Sequence, residues 1–244
     1  MFWKRKKEEN EPLADLSAIG TDLHSHLLPG LDDGAQEMYE TVHILTGLKE
    51  LGYRKAIITP HNQADFFENP SDKIRTKLDE VRNHLVKIGF DFEIDAASEY
   101  YFDHEFLQKI RNKQLLTFGD NYVLFELSPT LIPINFDTII FEMQMAGYRP
   151  VLAHPERYGY FYTPGKYREL SEKGIMLQMN IHSLSSNMSP QVRKAAVSMI
   201  NDEIVAFAGS DTHSYQNIEI IRNQLSNPNL IKLVRSGFLR NSDL

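Results

Sequence analysis

The chain contains no cysteine among its 244 residues. That removes disulfides, zinc–thiolate clusters and every cysteine-nucleophile mechanism, a thiophosphate enzyme intermediate included. No apolar run approaches the ~18 residues of a membrane-spanning helix, and no apolar signal segment follows the N-terminus. A cytoplasmic location is the expectation. Positive charge is not in excess: 26 Lys and Arg stand against 33 Asp and Glu, a net charge of −7, which argues against a nucleic-acid surface. An anionic substrate stays compatible with that balance if one site is locally positive. Hydrophobic residues make up 42% and charged residues 24%, as in an ordinary globular chain long enough to bury a core.

The first ten residues, MFWKRKKEEN, form a charge block behind two aromatics. Residues 1–19 read as a flexible tail. Its Lys4–Lys7 run beside Phe2 and Trp3 suits a weak membrane-surface contact, which Glu8 and Glu9 oppose. Residues 20–244 read as a single domain in which β-type runs alternate with helical periods. Met38, Val42, Leu45, Leu48 and Leu51 mark one helical face ending near Gly52. Ile74, Leu78, Val81, Leu85 and Ile88 mark another, with Ser71 as its expected cap. Strands are expected at 21–23, 55–59, 92–97, 122–127, 150–153, 175–179 and 204–208. Such repeated βα units predict an α/β fold with a parallel sheet and helices outside. At this length a distorted TIM-like (β/α)7 barrel is the leading architecture, and an open doubly wound sheet is the alternative.

The polar residues directly after these strands are unusual as a set. They are His24 and His26 with Asp32 and Asp33, then His61, Glu99, Glu126, His154 with Glu156 and Arg157, Asn180 with His182, and Asp211 with His213. In a parallel barrel all strand ends share one rim, where such folds place their sites. A cluster of four carboxylates would repel itself unless cations bind. Imidazole and carboxylate without thiolate suit Mn, Fe or Zn, with Co and Mg further choices. Three divalent ions would leave that rim net positive and open to an anion. His43, His84 and His104 fall in helical stretches and read as surface or structural residues. Phe66, Phe67, Tyr100, Tyr101, Tyr158, Tyr160 and Tyr162 flank the site segments, either as loop packing or as a rim that stacks on an aromatic substrate.

The segments Thr21-Asp-Leu-His24-Ser-His26, Asp32-Asp33-Gly34, Thr59-Pro-His61, Ser98-Glu99-Tyr100, Phe125-Glu126-Leu-Ser128, Ala153-His154-Pro-Glu-Arg157-Tyr158 and Gly209-Ser-Asp211-Thr-His213 carry a resemblance. In order and spacing the chain resembles the PHP (polymerase and histidinol phosphatase) superfamily over residues 20 to 240. Within it, the chain is most similar to the bacterial capsule- and exopolysaccharide-type protein tyrosine phosphatases. The resemblance implies a PHP-type barrel and a centre of two or three divalent ions, typically Mn2+. It implies nine metal ligands: His24, His26, Asp33, His61, Glu99, Glu126, His154, Asp211 and His213. Arg157, which matches the phosphate-binding arginine, completes a catalytic set with His61 and His213. Relatives carry a further arginine about five residues after the last His. Here that stretch is Ser214-Tyr-Gln-Asn-Ile218, and Arg222 is the nearest substitute. Asn180 and His182 would sit behind the ligands, and Asp32 would shape the turn.

The chemistry expected is hydrolysis of a phosphomonoester by metal-activated hydroxide, with Arg157 on the phosphoryl oxygens. The phenol of tyrosine, with a pKa of roughly 10, leaves more easily than an alkyl alkoxide. The substrate expected is the phosphotyrosine tail of a bacterial tyrosine kinase involved in polysaccharide synthesis. A small-molecule phosphatase, such as one for histidinol phosphate, is the alternative. A non-catalytic metal-binding module is a third reading, supported only by the absent arginine.

Overall fold

The structure is a computed structural model that describes residues 11–244, so the charge block at 1–10 lies outside the described residues. Nine strand segments are all paired in parallel. They are β1 (Thr21–Leu23), β2 (Lys55–Ile58), β3 (His61–Asn62), β4 (Glu93–Ala96), β5 (Glu99–Tyr101), β6 (Tyr122–Glu126), β7 (Arg149–Ala153), β8 (Met176–Asn180) and β9 (Val205–Gly209). Among the described residues, eight α-helices connect or follow them: α1 (Met38–Glu50), α2 (Ser71–Lys87), α3 (His104–Arg111), α4 (Phe136–Met145), α5 (Lys166–Glu172), α6 (Pro190–Asn201), α7 (Tyr215–Arg222) and α8 (Pro228–Arg235).

Nine segments make seven staves. Pro60 has no N–H to give the ladder, so the second stave is split into β2 and β3. Across the split, Ala97 N–H donates to Ile58 O at 2.9 Å and Glu99 N–H to Pro60 O at 3.1 Å, so β4 and β5 continue alongside. The ladders run β1-β2-β4 and β3-β5-β6-β7-β8-β9. The two outer staves then meet. Asp211 N–H donates to His24 O at 2.8 Å and His26 N–H to Thr212 O at 3.0 Å, with a parallel bridge at Ser25 and Thr212. At the other end of this seam, buried Asn241 gives Nδ2 to Thr21 O and Ala208 O and accepts from Ala208 N–H. The expected seven-stave barrel is therefore present.

Strand alternation sorts the apolar residues into two cores. Leu23, Ile57, Leu124, Val151, Ala153 and Phe207 point inward and pack with Phe118 and Tyr122. Their neighbours Ala56, Ile58, Val123, Phe125, Leu152 and Ala208 point outward and join the helices' apolar faces in the larger core. The barrel interior is thus filled, and chemistry is confined to its rim. Two sequence expectations differ. Ser71 lies inside α2, whose cap is Pro70. Residues 13–19, expected within a flexible tail, pack on the domain: Leu16 and Ile19 are buried, and Leu16 N–H donates to Leu51 O at 2.6 Å.

Asn241→Leu should open the seam, because it removes three buried hydrogen bonds and leaves their backbone partners unpaired. We expect a loss of about 2–4 kcal/mol, read as a lower midpoint in urea unfolding with the slope unchanged.

Candidate metal centre

The alternation that fills the barrel also aims the site. Leu124 points inward, so Glu126, two residues on, points into the rim above it; Gln178 and Asn180 repeat the step on β8. Two histidines need more. Leu23 and Ala153 point inward, so an extended His24 and His154 would face the helices. Their φ values of 89° and 36° break the alternation and turn both rings to the centre. Asp211 also takes a left-handed backbone, with φ 48°. Such non-glycine conformations cost on the order of 1–3 kcal/mol each and collect at functional sites.

The structure brings all nine side chains expected as ligands into four overlapping groups: His26, Asp33, His61 and His213; His24, His154 and Asp211; His24, His26 and Glu99; and His61, Glu99 and Glu126. Within each group, one ligand atom per residue lies within 4.8 Å of the others. Glu99 is central. Its Oε2 is 3.1 Å from His24 Nε2, 3.5 Å from His26 Nε2 and 3.1 Å from His61 Nδ1, while Oε1 is 3.1 Å from His154 Nε2. Asp211 Oδ1 is 3.4 Å from His24 Nε2 and 3.5 Å from His26 Nε2. Asp33 stands at the exposed edge, 3.4 Å from His213 Nε2 and 3.7 Å from His61 Nε2.

Buried polar atoms are normally hydrogen-bonded. Here His24 Nε2, His26 Nε2 and Glu99 Oε2 are buried without a hydrogen-bonded partner, although they face one another. Imidazole nitrogens and carboxylate oxygens converge here, and once the rings give up their inner protons this is the donor set a divalent cation fits. The opposite ring nitrogens are held. His24 Nδ1 meets Gln178 Oε1 at 2.8 Å and His26 Nδ1 meets Asp32 Oδ2 at 2.7 Å. Each contact keeps the proton on Nδ1 and leaves Nε2 for a ligand.

Charge inside the cluster shifts its acids and bases. Burial disfavours charged His61, but Glu99 and Glu126 outweigh it and push the ring up to about 12. Burial likewise opposes charged His26, yet Asp32 holds it up to about 10. Asp32 falls to about 2 against its own burial, because His26 and the N–H groups of Gly34 and His61 face it. The carboxyls of Glu99 and Asp211 lie well below their ordinary range despite burial, with His24 the foremost cause in each. His213 is lowered by burial and by His26 beside it.

Arg157 reaches the cluster from the side, with Nη1 3.1 Å from Asp211 Oδ2 and nearly half of its side chain exposed. Asp211 Oδ2 also accepts from Asn180 Nδ2 at 2.7 Å, and Asn180 Oδ1 accepts from Gln178 Nε2 at 2.9 Å. His182 Nδ1 contacts Ser210 O at 3.1 Å, behind the turn that carries Asp211.

Some sequence expectations change. Asp32 does more than shape a turn: it holds His26 and the His61 backbone. Gln178 was missed; its signal was an amide at an inward position of the otherwise apolar Met-Leu-Gln-Met run. Arg222 does not replace the absent arginine. It pairs with Glu50 at 2.9 Å and Glu219 at 3.4 Å, at the far end of α7. The aromatics divide. Tyr100 and Tyr158 are core residues, Phe67 stacks on His61 at 5.5 Å, and Phe66 is 76% exposed.

Comparison with known proteins agrees with this geometry. Residues 20–220 match the family model for capsular polysaccharide synthesis, CpsB/CapC. The tyrosine-protein phosphatase YwqE of Bacillus subtilis is 28% identical over 195 residues, covering 79% of this chain and 77% of its own. The tyrosine-protein phosphatase CpsB of Streptococcus pneumoniae is 28% identical over 200 residues, covering 79% and 82%. A solved structure from work on these two, called there metal-dependent tyrosine phosphatases, aligns with a TM-score of 0.79 at 25% identity. It covers 89% of this chain and 87% of that one. A histidinol phosphate phosphatase from Lactococcus lactis, solved with zinc, L-histidinol and phosphate, aligns at a TM-score of 0.51 and 11% identity. It covers 86% of this chain and 93% of its own, and shares the fold alone.

The shifts of His26 and His61 set a pH dependence. Both rings are raised, so both carry a second proton at neutral pH until a cation takes the lone pair. Manganese binding should therefore release protons, and apparent affinity should weaken as pH falls, by about tenfold per pH unit for each proton displaced. Calorimetry in buffers of differing ionisation heat would show this; uptake with no proton release would contradict it.

Proposed function

The chain belongs to the CpsB/CapC family of capsular polysaccharide synthesis, and from that premise we propose that it removes phosphate from phosphotyrosine on a bacterial tyrosine kinase of that pathway. The observation that carries this reading is the convergence of all nine imidazole and carboxylate groups on one rim beside an exposed arginine. As a metal-dependent phosphatase it would hold two or three divalent ions, Mn2+ foremost, with Fe, Zn, Co or Mg as substitutes. The nine ligands would be His24, His26, Asp33, His61, Glu99, Glu126, His154, Asp211 and His213. Bound there, such ions make water acidic near neutral pH and neutralise phosphoryl oxygens.

The chain's own groups do the rest. Arg157 presents a planar fork suited to two phosphoryl oxygens, and Asp211 holds that fork by one nitrogen. Gln178 and Asp32 hold the Nδ1 protons of His24 and His26, so Nε2 of each ring faces inward before any ligand arrives. His61 and His213 line the open side near Asp33, where a phosphoryl group enters. A phenolate leaves with modest assistance, its conjugate pKa being roughly 10. An open rim admits a tyrosine on a flexible tail, whereas a small metabolite is better served by an enclosed pocket. A kinase tail of that kind places the reaction in the cytoplasm. No helix of the described residues is long and apolar enough to cross a membrane.

Two assays test the proposal. The manganese-loaded protein should hydrolyse a phosphotyrosine peptide in preference to histidinol phosphate; the reverse preference would overturn it. Arg157→Ala should lower kcat/KM for the peptide on the order of a hundredfold with metal content unchanged, and Arg157→Lys should recover only part, because an ammonium lacks the fork. Loss of metal in Arg157→Ala would make the arginine structural instead.

A further inference from the structure

Exposed apolar side chains are not spread evenly around the rim. On the side formed by β8, β9 and β1, Leu27, Leu28, Leu31, Ile181 and Leu184 are at most 5% exposed, and the large exposed residue is Tyr39, in the first turn of α1. On the side formed by β3, β5, β6 and β7, Phe102, Leu127, Tyr158 and Phe161 are buried but several others face solvent. Phe66 is 76% exposed, Leu131 is 60% exposed and Ile134 is fully exposed. Each follows a strand that carries an expected ligand: Phe66 comes after His61, and Leu131 and Ile134 come after Glu126.

These loops are zipped into one wall. Ala64 N–H donates to Asp103 Oδ2 at 2.9 Å, which joins the loop after β3 to the loop after β5. Phe102 N–H donates to Glu126 O at 3.0 Å and joins that loop to β6. Leu127 N–H donates to Tyr158 OH at 2.9 Å, and Tyr160 OH donates to Ser128 O at 2.7 Å. Those two bonds tie the loop bearing Leu131 and Ile134 to the segment bearing His154 and Arg157. Phe67 anchors the other end by stacking on His61. The wall is therefore held in place before a ligand arrives, which lowers the ordering cost of binding. Its exposed apolar groups stand on the loops that follow His61 and Glu126, and Ser128 O ties the second of these to the segment of Arg157.

We propose that this wall is the docking surface for the substrate polypeptide: it takes apolar side chains next to the phosphotyrosine, with Leu131 and Ile134 as specificity-determining residues. The inference rests on the phosphatase reading and adds a sequence preference to it. Continuity with the rim selects the occupant, since a phosphotyrosine seated by Arg157 lays its neighbours on whichever loops border the site. The border next to Arg157 is this wall, because Tyr160, three residues on, gives its hydroxyl to Ser128 O. Burying one aliphatic side chain contributes about 1.5–3 kcal/mol, roughly ten- to hundredfold in affinity, and the small substrate p-nitrophenyl phosphate has no residue to place there.

The test uses the full-length, manganese-loaded protein and its Leu131→Ser/Ile134→Ser variant, with thermal melting to show that both are folded. Three probes are compared: a phosphotyrosine peptide flanked by Leu and Phe, the same peptide flanked by Ser, and p-nitrophenyl phosphate. We expect the variant to lose about tenfold or more in kcat/KM on the apolar peptide, mainly through KM. The other two substrates should stay within about twofold. Equal loss on all three, or loss on none, overturns the inference. So does a wild type that sediments as a dimer and a variant that sediments as a monomer with unchanged peptide kinetics, because the wall then joins two copies. A wild type that turns over none of the three probes overturns the phosphatase reading and the inference with it.

Discussion

Glu99 is the constraint on which the site depends. Its carboxylate is fully buried, and its two oxygens meet four imidazoles from three other staves. A buried carboxylate is costly unless compensated. Protonated histidines can supply that compensation, as the raised His26 and His61 show, and so can divalent cations. The two are alternatives at the same lone pairs. The protein therefore carries, in one cluster, both a charge problem and its solution. Much of the surrounding structure serves to keep that cluster from relaxing: the left-handed backbone at His24, His154 and Asp211, the Gln178–Asn180 link, and Asp32 under His26.

The cluster also straddles the place where the barrel closes. His24 and His26 stand on one side of the β1–β9 seam, Asp211 and His213 on the other. Backbone hydrogen bonds join them directly, and Asp22 accepts from both N–H and Oγ of Ser210 just below. A ligand that pulls His24 and Asp211 together thus acts on the seam itself. With the proposed ligands, folding and metal uptake would share residues here, which would couple the two free energies.

Much of this was legible in the sequence, for a reason that is physical. A parallel barrel places every strand end on one rim, so a list of polar residues after apolar runs is already a list of neighbours. His61, Glu99, Glu126, His154 and Asp211 could be read that way without coordinates. What was hidden needed three-dimensional packing. Pro60 splits a stave that reads as continuous. Leu16 and Ile19 look like the end of a tail until α1 and its following turn are there to cover them. Gln178 sits inside a strand, and nothing in Met-Leu-Gln-Met says that its amide will meet His24 from a strand 154 residues away in sequence. Arg222 is near the site in sequence, but a helix of eight residues carries it to Glu50. Tyr100 and Tyr158 resemble Phe66 in a linear reading; only burial separates core from rim.

The measurement closest to the central claim is a metal titration of the stripped protein. Manganese would be returned stepwise while bound metal is counted by mass spectrometry and phosphotyrosine hydrolysis is followed on the same samples. The account predicts that activity is absent without metal, rises as two or three ions fill the centre, and is lost again with chelator. Full hydrolysis by the metal-free protein, or saturation of the site with no hydrolysis at any occupancy, would contradict it.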